Sequence, residues 1–135
     1  MPVTFLATQL SITVQDGVLR TALAGPSTVR SADDDYLLLQ LTLAPTPQDI
    51  ALGMAQPHLE YGTQHWSWYG EIECFELFDD RVVATMSPAA AAHMKNDGIL
   101  EAVFDFGTGR FAELKRALQS TFHGCDFFIV RGSAH

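Results

Sequence analysis

The chain has 135 residues, of which 47% are hydrophobic and 18% are charged, a balance typical of a folded domain with its own core. Eight Lys and Arg oppose sixteen Asp and Glu, which gives a net charge of −8. Because such a surface repels phosphate backbones and anionic lipid, we expect neither nucleic acid nor a membrane as partner. A basic protein is the electrostatic complement, although acidity also keeps many proteins soluble.

The cysteines and the start of the chain indicate a reducing compartment. Cys74 and Cys125 form no CxxC pair, and two isolated cysteines are most simply buried thiols. The first residues lack the basic flank and long apolar run of a signal peptide. No run approaches the ~20 apolar residues that cross a bilayer. We therefore expect one cytoplasmic domain over residues 1–135.

The N-terminal region is predicted to form a β-hairpin within residues 3–23. Loose alternation of apolar residues over 5–14 indicates the first strand. Asp16-Gly17 is a tight-turn signal, and residues 18–23 are expected to return as the second strand.

The next region carries an acidic run at 33–35, followed at once by a short apolar run at 36–41. That run is bounded by turn residues and suits a central strand. Residues 58–61 are interpreted as a further short strand, and 66–69 as an aromatic-rich connection. Residues 71–78 and 81–86 form the clearest predicted hairpin, and imperfect alternation in its first strand hints at a bulge.

Helices are predicted late in the chain. Pro88 followed by four alanines starts a short helix, because Pro fits the first turn and Ala has the highest helix propensity. Residues 99–106 alternate as a strand, and 125–130 are expected to be the last strand. Between them, residues 110–122 form an amphipathic helix with a stripe at three- and four-residue spacing, namely Phe111, Leu114, Leu118 and Phe122.

Strands outnumber helices in this pattern, and the hairpin signals recur. We therefore predict an α+β fold with a mostly antiparallel sheet. One long C-terminal amphipathic helix and the short Ala-rich helix are expected to pack on one face of that sheet.

Catalytic and metal-site patterns are weak. His58, Glu60, His65 and Cys74 could converge on a metal, but they lack the tight ligand pairs of zinc sites, so no metal and no cofactor is predicted. No nucleophile elbow or phosphate-binding loop is present. Glu71 and Glu73 share a strand face and could act as an acid and base pair, yet such residues are more often the solvated side of a sheet. The protein is not expected to be an enzyme.

Binding residues are more plausible around the tryptophans. Trp66, Trp68 and Tyr69 follow one another closely, and Trp and Tyr dominate binding hot spots. The alternative is that the tryptophans cap the core. Likewise, Asp33, Asp34 and Asp35 are either a solvated loop or an acidic clamp for a basic partner.

A family resemblance arises from the middle of the chain. It runs from Tyr36-Leu37-Leu38-Leu39-Gln40 through Gln48-Asp49-Ile50-Ala51-Leu52-Gly53-Met54 to Leu59-Glu60, and ends with Gln64, Tyr69-Gly70-Glu71-Ile72-Glu73 and Phe75-Glu76-Leu77. This pattern resembles the immunity protein 10 family of bacterial polymorphic toxin systems, with similarity over about 35–122.

The resemblance implies a non-catalytic antitoxin that binds and neutralises a cognate toxin domain. The candidate partner-binding residues are Asp33, Asp34, Asp35, Glu60, Gln64, Trp66, Trp68, Tyr69, Glu71 and Glu73. Two alternatives stay open. One is a small enzyme or ligand-binding module with a cleft near Glu60, His65, Trp66 and Glu71. The other is an oligomeric structural protein whose exposed aromatic residues form a homodimer.

Overall fold

The computed structural model describes residues 3–25, 36–62 and 66–131, and this part of the chain contains ten strands and three helices. The strands are β1 Val3–Ala7, β2 Gln9–Gln15, β3 Val18–Ala24, β4 Tyr36–Thr42, β5 His58–Tyr61, β6 Trp66–Tyr69, β7 Ile72–Leu77, β8 Arg81–Met86, β9 Ile99–Phe104 and β10 Phe128–Val130. The helices are α1 Pro47–Ala51, α2 Pro88–Met94 and α3 Thr108–Thr121.

The strands form two sheets of five strands each. Sheet I has the order β2-β3-β4-β5-β6, and all of its neighbouring pairs are antiparallel. Sheet II has the order β1-β9-β8-β7-β10. In sheet II, β1 runs parallel to β9 and β10 runs parallel to β7, while β7, β8 and β9 are antiparallel.

The expected α+β fold, with one sheet and one long helix packed on it, is wrong. The described residues are mostly β, with 48% strand in two sheets and 22% helix. The reason is that alternation marks a strand without stating which sheet it joins. Residues 3–15 illustrate this: the chain leaves sheet II at Thr8, so β1 and β2 lie in different sheets. The aromatic segment predicted to be a connection is itself strand β6.

The β2–β3 hairpin forms because its turn sequence accepts positive φ angles. Asp16 has φ 54° and Gly17 has φ 74°, and a two-residue turn with both φ positive matches the right-handed twist of the strands. Gln15 pairs with Val18 across this turn, and the register continues to Gln9 opposite Ala24.

The core lies between the inner faces of the two sheets. Alternate residues of each strand are buried, as a pleated strand requires. From sheet I these include Leu23, Leu37, Leu39, Leu59 and Tyr61, and from sheet II Phe5, Phe75, Leu77, Val82, Leu100, Ala102 and Phe104.

Helix α3 completes this core. It contacts β2, β3 and β4 of sheet I, and its ring contacts reach sheet II. Phe122, directly after the helix, lies 4.8 Å from Phe75 between ring centroids, and Leu114 and Leu118 are fully buried. The amphipathic stripe therefore packs against side chains of both sheets. No helix in the described residues is long and apolar enough to cross a membrane.

Leu59 and Leu52 provide a matched test of this core. Leu59 is 0% exposed, whereas Leu52, just after α1, is 64% exposed. Leu59→Ala leaves a cavity and should lower the free energy of unfolding by about 2–5 kcal/mol, while Leu52→Ala should change it by less than about 0.5 kcal/mol. Urea unfolding followed by circular dichroism measures both. Equal effects would contradict the placement of sheet I in the core.

Candidate protein-binding face

The outer face of sheet I brings together polar and aromatic side chains from β4, β5 and β6. In the register of β5 with β6, His58 lies opposite Tyr69 and Glu60 lies opposite Ser67. Directly opposite residues on antiparallel strands point to the same side, and both pairs face away from the core. We call the surface formed by these side chains the Glu60 face; its residues are Tyr36, His58, Glu60, Ser67 and Tyr69.

Glu60 is held in place by a tyrosine from the neighbouring strand. The hydroxyl of Tyr36 donates a hydrogen bond to the carboxylate of Glu60. Both side chains are partly buried. Because a phenol is a neutral donor, it orients the carboxylate without compensating its charge.

Tyr69 is the most exposed part of this face. Its side chain is 43% exposed, and its ring lies against the imidazole of His58 with centroids 4.6 Å apart. Desolvation lowers the pKa of His58 from its ordinary value of 6.5, and the nearby charge of Glu60 opposes this effect in part. A neutral imidazole under an exposed tyrosine ring is a largely apolar platform beside a carboxylate.

Both tryptophans lie on the opposite face of the sheet. Trp66 pairs with Tyr61 and Trp68 with Leu59, in inward-facing positions. They are partly buried and pack against the core cluster, and Trp66 stacks on Tyr61 with centroids 6.0 Å apart. The structure thus places Glu60 and Trp66 on different sides of one sheet and does not bring them together in a cleft.

Glu71 and Glu73 lie beyond the end of β6. Glu71 occupies the turn between the sheets with φ 66°, and its carboxylate accepts a hydrogen bond of 2.6 Å from the hydroxyl of Ser87. Ser87 in turn caps α2 by accepting from the backbone of Ala90 at 3.2 Å. Glu73 is exposed where the register of β7 with β8 shifts. Glu71 therefore has a clear structural task at this turn.

The remaining candidates, Asp33, Asp34, Asp35 and Gln64, together with His65, lie outside the described residues. The residues that flank these segments are described. Ala24 pairs with Tyr36, Tyr61 pairs with Trp66, and the backbone N–H of Gly62 donates to the carbonyl of Tyr36 at 2.9 Å. Both connections therefore leave sheet I from the same end, next to Tyr36.

The outer face of sheet II has a different electrostatic character. There, the carboxylate of Glu101 accepts from Thr4 at 3.1 Å and pairs with Arg81 at 3.3 Å. Glu76 pairs with Arg131 at 3.0 Å. These charges are compensated within the chain, whereas the described partner of Glu60 is uncharged. The two outer faces thus differ in the charge that they offer to a partner.

Two observations on the described residues concern metal and thiol groups. No group of three or more His, Cys, Asp and Glu there could hold a metal ion. Burial raises the pKa of both Cys74 and Cys125, and neighbouring carboxylates add to the rise. A raised pKa keeps a thiol protonated and therefore weakly nucleophilic.

Three residues of the Glu60 face, Tyr36, His58 and Ser67, are not among the predicted partner-binding residues. His58 could have been found, because its two-residue spacing from Glu60 puts both on one side of a strand. Tyr36 offers no such local signal. Its contact with Glu60 depends on the pairing of β4 with β5, between residues far apart in sequence.

Comparison with known proteins gives one family. The family model described as Immunity protein 10 matches residues 7–112, which is more than half of the chain. The match includes the β2–β3 hairpin and all strands of the Glu60 face, and it ends within α3. No curated protein and no solved structure matches the chain.

The lowered pKa of His58 predicts a pH dependence of stability. The folded protein disfavours the imidazolium, so the unfolded chain binds more protons and stability falls as the pH drops below about 6.5. In an NMR titration the His58 ring should titrate below 6.5. His58→Gln should reduce the loss of stability between pH 7.5 and 5. Titration of His58 above 6.5 would contradict this environment.

Proposed function

The chain belongs to the Immunity protein 10 family, and from this premise we propose that it is an immunity protein that binds and neutralises a cognate toxin domain without catalysis. The match over residues 7–112 is the observation that carries the proposal. In such a system the protein would act in the cytoplasm of the bacterium that makes the toxin.

We assign the Glu60 face as the toxin-binding surface. A good interface centre combines a rigid aromatic anchor with oriented polar groups. Tyr69 supplies an exposed ring supported by His58, and Tyr36 holds the Glu60 carboxylate in one direction. Because the central strand β5 packs onto the core through Leu59 and Tyr61, each fully or almost fully buried, this surface should change little on binding and lose little entropy.

The charge of the chain favours a basic toxin domain. A net charge of −8 accelerates the encounter with a cationic partner, because opposite potentials steer diffusion. A domain that acts on nucleic acid would present such a surface. Glu60 would pair with one of its cations directly, and Asp33, Asp34 and Asp35 would add to the attraction.

Co-expression tests this function. The C-terminal domain of the large protein encoded beside this gene is expressed alone and together with the chain, and growth and co-purification are scored. The expected result is toxicity that the chain relieves through a stoichiometric complex. A toxic domain that the chain neither binds nor counteracts would overturn the proposal.

Two variants then test the assigned face. Tyr69→Ala and Glu60→Gln should each weaken the complex by about tenfold or more, as hot-spot residues do. The matched controls lie on the outer face of sheet II. There Leu6 is 57% exposed and Glu101 also accepts from a hydroxyl, so Leu6→Ala and Glu101→Gln should leave the affinity within about twofold. Calorimetry measures each Kd, and the reverse ranking would place the interface on sheet II.

The acidic run makes a kinetic prediction. Replacing Asp33, Asp34 and Asp35 with alanine should slow association and weaken its dependence on salt, because steering depends on local charge. Replacing the exposed Asp79, Asp105 and Asp126 with alanine gives the same net charge and serves as control. Stopped-flow measurement of the association rate at several salt concentrations compares the two triple variants. Equal association rates for both triple variants would show that only net charge matters.

A further inference from the structure

Strand β2 forms one edge of sheet I and is chemically unusual for an edge. It pairs with β3 on one side, and no described strand pairs with its other side. Its seven residues, Gln9–Gln15, contain no charge and no proline, and Val14 is 63% exposed. Edge strands usually carry charges or prolines that prevent pairing with another chain.

The turn geometry establishes which backbone groups of β2 are available. In a two-residue hairpin the residues that close the turn exchange hydrogen bonds, and hydrogen-bonded pairs then alternate with non-bonded pairs. Gln15 and Val18 close this turn. The N–H and C=O groups of Gln9, Ser11, Thr13 and Gln15 therefore point towards β3. Those of Leu10, Ile12 and Val14 point away from it, to the open edge.

Arg110 of α3 supports this assignment. Its guanidinium donates a hydrogen bond to the carbonyl oxygen of Leu10, which is one of the groups predicted to face outwards. Arg110 also pairs with Glu113 and is 45% exposed at its side chain, so it can turn away without breaking the core. The side chain of Arg110 thus covers part of the β2 edge and can move away from it.

The sequence of β2 is chemically palindromic about Ile12. It reads Gln-Leu-Ser-Ile-Thr-Val-Gln, so equal distances from the centre carry Ser11 with Thr13, Leu10 with Val14, and Gln9 with Gln15. When two copies of β2 pair antiparallel about a two-fold axis at Ile12, each residue lies opposite the residue of the other copy that is equally far from Ile12 on its other side. Hydroxyl would then face hydroxyl and aliphatic would face aliphatic, which are favourable cross-strand pairs.

We propose that β2 is a docking edge for a second copy of this chain, which adds its own β2 antiparallel across a two-fold axis at Ile12. The outward groups of Leu10, Ile12 and Val14 would form about six backbone hydrogen bonds between the copies. Sheet I would continue through both molecules. This pairing does not involve the Glu60 face, and the measurements of self-association need no toxin.

A second copy fits this edge better than an unrelated strand. An arbitrary partner strand would match the backbone equally well, but only a copy of the same strand presents the mirrored order of side chains. The absence of charge on β2 also matters. Two chains of net charge −8 meet here at a segment that adds no direct repulsion. Because one strand pair buries little surface, the dimer is expected to be weak and concentration-dependent.

Sedimentation equilibrium of the full chain over roughly 5 µM to 1 mM tests the proposal. The expected result is a reversible monomer–dimer equilibrium. Val14→Pro removes an outward N–H at an exposed position and should raise the dimer Kd by at least about tenfold. Val14→Thr keeps the N–H and the β-branched shape and should leave it within about threefold. Circular dichroism and thermal unfolding check that both variants remain folded.

Paired charge variants test the two-fold register itself. In Ser11→Lys/Thr13→Glu, each new cation lies opposite a new anion of the other copy, and dimerisation should persist or tighten. In Ser11→Lys/Thr13→Lys, like charges face each other and the dimer should dissociate, although the net charge of each chain becomes less negative. Both positions are exposed, which spares the core.

Three results would overturn the proposal. One is a wild-type chain that stays monomeric at about 1 mM. Another is a dimer that is indifferent to Val14→Pro and to the two lysines, which would place its interface elsewhere. The third is a monomer whose toxin complex, rather than self-association, is lost with Val14→Pro. That outcome would assign the edge to a strand of the toxin.

Discussion

The ring of Phe5 on β1 meets the ring of Tyr61 on β5 edge-on, with centroids 5.6 Å apart, and contacts of this kind join the inner faces of the two sheets in one core. Because side chains alternate along a strand, fixing Leu59 and Tyr61 inside necessarily places His58 and Glu60 outside. A slip of one residue would exchange the two sets. The outer surface of sheet I is therefore determined by what its inner surface buries.

The solvent-facing sides of the two sheets differ in the partners of their carboxylates. In sheet II, Glu101 and Glu76 pair with Arg81 and Arg131, whereas sheet I orients Glu60 with the neutral hydroxyl of Tyr36. Surface ion pairs contribute little to stability, so this difference bears on recognition more than on folding. For the proposed binding function, β4, β5 and β6 would supply a face that packs on the core and carries an oriented carboxylate.

The edges of the sheets depend on how the chain passes between them. It crosses from sheet II to sheet I at Thr8, and returns at Gly70 and Glu71, which both have positive φ. Glycine suits the first of these, since its φ of 74° is a backbone conformation that residues with a Cβ rarely adopt. The first crossing leaves β2 at an edge with which no other described strand pairs, and there the guanidinium of Arg110 contacts the backbone. The position of β2 at the edge of sheet I and the two crossings between the sheets both follow from the strand order of the two sheets.

Local sequence by itself determined the elements whose signals lie within a few residues: the Asp16-Gly17 turn, the hairpin of β7 and β8 with its register shift, the start of α2 at Pro88, and the amphipathic stripe of α3. Its alternation also put His58 and Glu60 on one side of a strand. Only the tertiary structure decided that there are two sheets, that Trp66 and Trp68 face the core, and that Tyr36 reaches Glu60. The physical reason is that strand pairing joins residues distant in the chain, and short-range periodicity is identical whichever sheet a strand enters.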